Sequence, residues 1–76
     1  MIVNTNRMDV RRIVGENVKR ARVAAGLTQE KLAELSGFSQ QYLSDLEAGK
    51  RNPTIVSLYE IAQALGVEYA ELILPK

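Results

Sequence analysis

The sequence predicts an all-α domain of five helices, and three observations carry that prediction. Apolar residues recur at steps of three and four, as they do along one face of a helix. The periodic segments are punctuated by helix-capping residues and by single glycines. No segment alternates apolar and polar residues in the manner of a half-buried strand. With 76 residues there is room for one domain, near the lower size at which a core folds without staples.

The first eight residues have no period and are expected to form a flexible N-terminal arm, with the domain spanning 9–76. From Asp9, expected as the N-cap, a first helix carries Val10, Val14, Val18, Ala21 and Ala25 on one stripe, and Gly26 ends it. Thr28 caps a short second helix with Glu30 in its first turn, where the helix dipole favours an anion. Leu32 and Ala33 are expected inward, and Gly37 stops this helix. Ser39 caps a third helix with Leu43 and Leu46 inward, ended by Gly49. After the turn Asn52-Pro53-Thr54, a fourth helix points Ile55, Leu58, Ala62 and Leu65 at the core and ends at Gly66. A last short helix runs from about Tyr69 to Ile73, before Pro75.

Composition narrows the chemistry. There is no cysteine and no histidine, which removes disulfides, thiolate metal sites, the commonest metal ligand and the usual general base. Neither a metal nor a cofactor is expected. The acids are scattered, with no pair in an evident apolar pocket that would separate their pKa values, so an enzyme is disfavoured. No apolar run approaches the roughly 20 residues of a membrane span, and the start lacks the apolar stretch of a secretory signal. A cytoplasmic protein without a membrane partner or a small-molecule ligand is expected.

A net charge of +1 says little, but its distribution is uneven. Arg7, Arg11, Arg12, Lys19, Arg20 and Arg22 outnumber Asp9 and Glu16 in the first 22 residues, while residues 23–49 set Lys31 against Glu30, Glu34, Asp45 and Glu47. A basic run of this kind either attracts phosphate or simply solvates a helix.

The second and third helices, joined by a tight glycine-containing turn, match helix-turn-helix geometry. Small Ala33 lets the third helix cross closely, and Gly37 supplies the turn. Leu43 and Leu46 lock the third helix inward, which sends Gln40, Gln41, Ser44 and Asp45 outward together. That face is polar, short-chained and nearly free of lysine, and glutamine can pair bidentately with adenine in the major groove. A lone pair of glutamines would be read as solvated surface. Beside Ala33, Gly37, Leu43 and Leu46 at these offsets, DNA readout is the stronger reading.

The runs Gly26-Leu27-Thr28-Gln29-Glu30-Lys31-Leu32-Ala33, Gly37-Phe38-Ser39 and Leu46-Glu47-Ala48-Gly49-Lys50-Arg51-Asn52-Pro53-Thr54 resemble the Cro/C1 (Xre) family of phage and bacterial repressors. The resemblance extends from about Val14 to Ile73 and implies a five-helix, lambda-repressor-like domain with its third helix in the major groove. It implies base reading by Gln40, Gln41, Ser44 and Asp45. Asp45 departs from the family's usual glutamine, basic or neutral residue, and would accept from cytosine N4, act as a cap, or exclude wrong sites. Phosphate contacts are implied for Thr28, Gln29, Ser39, Tyr42, Lys50, Arg51 and Asn52, with Gln29 also bracing Gln40. Tyr42 either bonds a phosphate or packs its ring on neighbours. Arg22 and Glu47 match a structural ion pair of the family; otherwise they are two surface charges. The string Tyr42-Leu43-Ser44 with Arg51-Asn52 also resembles the small controller proteins of restriction-modification systems.

Two functions follow as expectations. One is a homodimeric transcriptional regulator of a partly palindromic operator in double-stranded DNA, controlled by its own concentration because no ligand-binding domain is attached. The other is an antitoxin-like protein that binds a toxin as well as DNA. The dimer would use Tyr69, Ile73 and Leu74, since this segment is more apolar than one short helix can bury, unless all of them fold back to finish the core.

Overall fold

The computed structural model describes residues 7–76, with side chains from Val10 onward. Five helices follow in order: α1 (Arg7–Ala24), α2 (Gln29–Ser36), α3 (Gln40–Glu47), α4 (Ile55–Leu65) and α5 (Ala70–Ile73). Among the described residues there is no strand, and no helix is long and apolar enough to cross a membrane. The all-α, five-helix expectation is met.

Helix starts follow local chemistry. The Thr28, Ser39 and Thr54 hydroxyls accept from the backbone N–H groups of Lys31, Tyr42 and Ser57, each at 3.0 Å. Each such bond satisfies an amide that the helix leaves unpaired, worth about 1 kcal/mol. The start of α1 differs from expectation. It begins at Arg7, so Asp9 lies inside the helix and is not its cap. Arginine and methionine are good helix formers, and nothing between Arg7 and Asp9 arrests the helix. The expected arm over 1–8 therefore loses its last two residues to α1, and its first six lie outside the described residues.

The core comprises Val14, Val18, Leu32, Leu43, Leu46, Leu58, Ile61, Ala62, Leu65 and Leu72. The α1 stripe holds in its middle and fails at both ends: Val10 is 49% exposed, and Ala25 lies exposed beyond the helix. In α4 the buried face is Leu58, Ile61, Ala62 and Leu65, whereas Ile55, expected inward, is 73% exposed. Ile55 shares the Leu58 face by periodicity, but it is the first residue of the helix and no element covers it.

Two residues on α1 set its neighbours in place. A Cβ at Gly15 would sit 2.9 Å from the Glu47 carbonyl oxygen and closer still to that of Leu46. Only glycine lets the α1 backbone meet the end of α3 this closely. Asn17, 3% exposed, donates through Nδ2 to the carbonyls of Leu72 (3.1 Å) and Leu74 (2.8 Å). Its Oδ1 accepts from Arg20 Nη1 at 2.7 Å, so the buried amide is satisfied on both sides. A four-residue helix has no stability of its own. Helix α5 is held by this clamp and by fully buried Leu72.

Gly15 separates helix propensity from packing. Alanine in mid-helix ordinarily gains nearly 1 kcal/mol over glycine, but here it must push α1 off α3. Gly15→Ala is expected to lower the unfolding free energy by about 1–3 kcal/mol, measured by urea denaturation. Unchanged or raised stability would mean the two helices separate without cost.

Candidate nucleic-acid interface

Helices α2 and α3 meet across a turn at Gly37, whose φ of +84° is in the left-handed region. Its N–H closes α2 by donating to the Ala33 carbonyl at 2.9 Å. Leu43 and Leu46, both fully buried, then fix which face of α3 turns inward. The opposite face carries Gln40 and Gln41 exposed and Ser44 and Asp45 half-buried.

The loop after α3 adjoins this face. Lys50, Arg51 and Asn52 are exposed there. The Arg51 guanidinium lies 5.0 Å from the centroid of the Tyr42 ring, and its Nε is 3.7 Å from Asp45 Oδ2. The Tyr42 ring stacks on Phe38 with centroids 5.0 Å apart and planes 19° from parallel. The Tyr42 ring therefore packs on its neighbours, as one of its two readings held, and these ring contacts do not engage the phenolic hydroxyl that the other reading needs. Thr28 and Ser39 already accept helix-start amides, but each hydroxyl keeps its own proton to donate to an anion.

The third helix is tied to the rest of the domain at Glu47, its last residue. Arg22 Nε donates to Glu47 Oε2 at 2.7 Å and Nη2 to Oε1 at 3.1 Å, a bidentate pair. Arg22 Nη1 also donates to the Leu27 carbonyl at 2.8 Å. Gln29 Nε2 donates to Glu47 Oε1 at 3.0 Å. The side chains of Arg22 and Glu47 are only 12% and 4% exposed. The brace from Gln29 to Gln40 expected from the sequence is thus replaced by a bond at the other end of α3. A buried carboxylate is a stronger acceptor than an exposed amide, which decides the matter.

Outside this face, Tyr69 is half-buried against the core, while Ile73 and Leu74 are 38% and 56% exposed. Tyr69 also lines an apolar depression with Ile55, Val56 and Tyr59, three exposed residues that sequence reasoning had not assigned to a surface. A signal was present: Val56 and Tyr59 are three apart on α4 and lie off the stripe of Leu58, Ala62 and Leu65. Gly15 was missed as well, although a lone glycine within a helical pattern marks close packing.

Comparison with known proteins agrees with this geometry. The family model described as helix-turn-helix matches residues 18–72. The chain is 60% identical over 68 residues to the uncharacterized HTH-type transcriptional regulator y4dJ of Sinorhizobium fredii, covering 90% of this chain and 88% of that one. It is 38% identical over 66 residues to control protein C.SmaI of Serratia marcescens, covering 87% and 79%. The crystal structure of the restriction-modification controller protein C.AhdI from Aeromonas hydrophila superposes with a TM-score of 0.79 at 39% identity, covering 82% of this chain and 94% of that chain.

The carboxylate at Glu47 makes a stability prediction. Glu47→Ala strands a guanidinium and an amide near the core and should cost about 3 kcal/mol. Because Arg22→Ala removes the same interaction, the double variant should recover part of the loss. A double-mutant cycle in urea checks this; strictly additive losses would mean the two charges do not interact.

Proposed function

The chain belongs to the helix-turn-helix family of DNA-binding transcriptional regulators, which are not enzymes, and from that premise we propose that it binds operator DNA as a homodimer with α3 of each subunit in the major groove. The observation that carries this reading is the outward face of α3. Gln40 and Gln41 stand exposed at its start, and Ser44 and Asp45 follow one turn on. All four side chains are short enough to meet base edges without holding the helix off the groove, and amide groups match the donor and acceptor pattern of adenine. In this reading Thr28, Gln29, Ser39, Tyr42, Lys50, Arg51 and Asn52 rim that face and grip phosphate, which sets register without reading sequence. The protein works in the cytoplasm and needs no cofactor.

The dimer is proposed through the apolar end of the molecule. One recognition helix spans only a few base pairs, and two-fold related subunits read two half-sites about 34–36 Å apart. Tyr69, Ile73 and Leu74 are the core of the proposed interface. Exposed Ile55, Val56 and Tyr59 extend it onto α4, where a patch of this kind favours a protein partner over water. The likeness to control proteins supports a role in setting transcription by operator occupancy.

Selection of bound sites from random duplexes, followed by titration, tests the reading. A two-fold symmetric preferred site is expected, with affinity that falls steeply as salt rises. Gln40→Ala should lose preference at one position of each half-site, at about 1–3 kcal/mol on the preferred sequence. Equal losses on preferred and random DNA would remove Gln40 from readout. For the dimer, Ile73→Asp and Tyr59→Asp should each lower the mass found by sedimentation equilibrium at micromolar concentration while helical circular dichroism persists. A wild-type protein already monomeric there would sink the proposed interface.

A further inference from the structure

An acid on a surface that meets a polyanion needs a reason to be there, and the surroundings of Asp45 supply one. Both carboxylate oxygens are engaged. Oδ1 accepts from Gln41 Nε2 at 3.0 Å, one helical turn back on α3. Oδ2 faces Arg51 Nε at 3.7 Å. A carboxylate only accepts, so the Gln41 bond both orients the amide and aims the second oxygen at the loop. Arg51 is held from its other side by the face of the Tyr42 ring. The Arg51 side chain is 47% exposed, within reach of solvent and of a ligand.

A carboxylate offers a guanidinium the same two-oxygen anionic partner that a phosphate offers. A phosphate that approaches the Nε side of Arg51 therefore competes with Asp45 for it. On a random sequence the displaced carboxylate is left without a counter-charge among phosphates. On a sequence that places a base amino group opposite α3, cytosine N4 or adenine N6, that group takes over the carboxylate. We propose that Asp45 is a positioning residue that makes the site selective by withholding Arg51 from phosphate until a base amino group replaces it. This rests on the reading of the α3 face as the DNA-binding surface.

The test uses the whole chain with four variants: wild type, Asp45→Asn, Arg51→Ala and the double variant. Asparagine keeps the shape of Asp45 and an acceptor for Gln41, and circular dichroism verifies folding. Affinities for the selected duplex and for a random duplex are measured by fluorescence anisotropy over a series of salt concentrations. Asp45→Asn should tighten binding to the random duplex by about tenfold and change the selected duplex less. The ratio between the two should fall accordingly, and the slope of log affinity against log salt on random DNA should steepen by about 0.9, the value of one phosphate contact. In the Arg51→Ala background the same substitution should leave that slope unchanged. A steepening that persists without Arg51 would mean that Asp45 repels DNA directly, and it would overturn the proposal. So would an unchanged affinity ratio in Asp45→Asn. A wild-type protein that binds neither duplex would instead refute the DNA-binding reading itself.

Discussion

The Glu47 carboxylate, almost wholly buried, accepts two bonds from Arg22 at the end of α1 and one from Gln29 at the start of α2, while belonging itself to the end of α3. Three helices are thereby tied at one point. Removing two charged groups from water costs several kcal/mol, and only a complete set of partners repays it. Such a site adds less to net stability than to uniqueness, because any other crossing of α3 leaves a charge stranded. Gly15 complements it sterically, since the α1 backbone touches the carbonyls of Leu46 and Glu47 and so limits how closely α3 can approach. The outer face of α3 inherits its orientation from these two constraints.

Two surfaces of the molecule then carry different physics. The α3 face is polar and partly prearranged: Gln41, Asp45, Arg51, Tyr42 and Phe38 form one chain of contacts that links α3 to the turn before it and the loop after it. Each contact is individually modest, because exposed ion pairs contribute little in water, but Asp45 and Tyr42 both engage Arg51. The surface formed by the start of α4 and the C-terminal segment is apolar. There Asn17 fixes the segment after α5 by its main-chain carbonyls, which leaves the side chains of Ile73 and Leu74 free to face outward. An amide buried on α1 thus helps determine what the C-terminal segment presents.

Much of the fold was legible in the sequence because helix ends are local events. Thr28, Ser39, Thr54, Gly37 and Gly66 act within four residues of themselves, and the helices they bound lie where those residues put them. Burial was legible only in the middle of each stripe. Periodicity places Val10 and Ile55 on the inward faces of their helices but carries no knowledge of where the neighbouring helix ends, and both are exposed. Within the site, the outward set Gln40, Gln41, Ser44 and Asp45 followed from inward Leu43 and Leu46. The partners of long side chains did not. Gln29 was expected to brace Gln40 and bonds Glu47, a choice made by the strength of a buried acceptor that only the three-dimensional arrangement brings near. Asn17 stayed hidden for the same reason, since its partners are carbonyls 55 and 57 residues away.

The central claim is that the face prepared by the Glu47 hub is the one DNA meets. Amide chemical shifts of the isotope-labelled protein, followed while the selected duplex is added, test it most directly. The account predicts the largest changes at residues 28–31, 39–45 and 50–52, with small ones in the interior of α4. Changes centred on α1 and α5, with α3 unmoved, would contradict it.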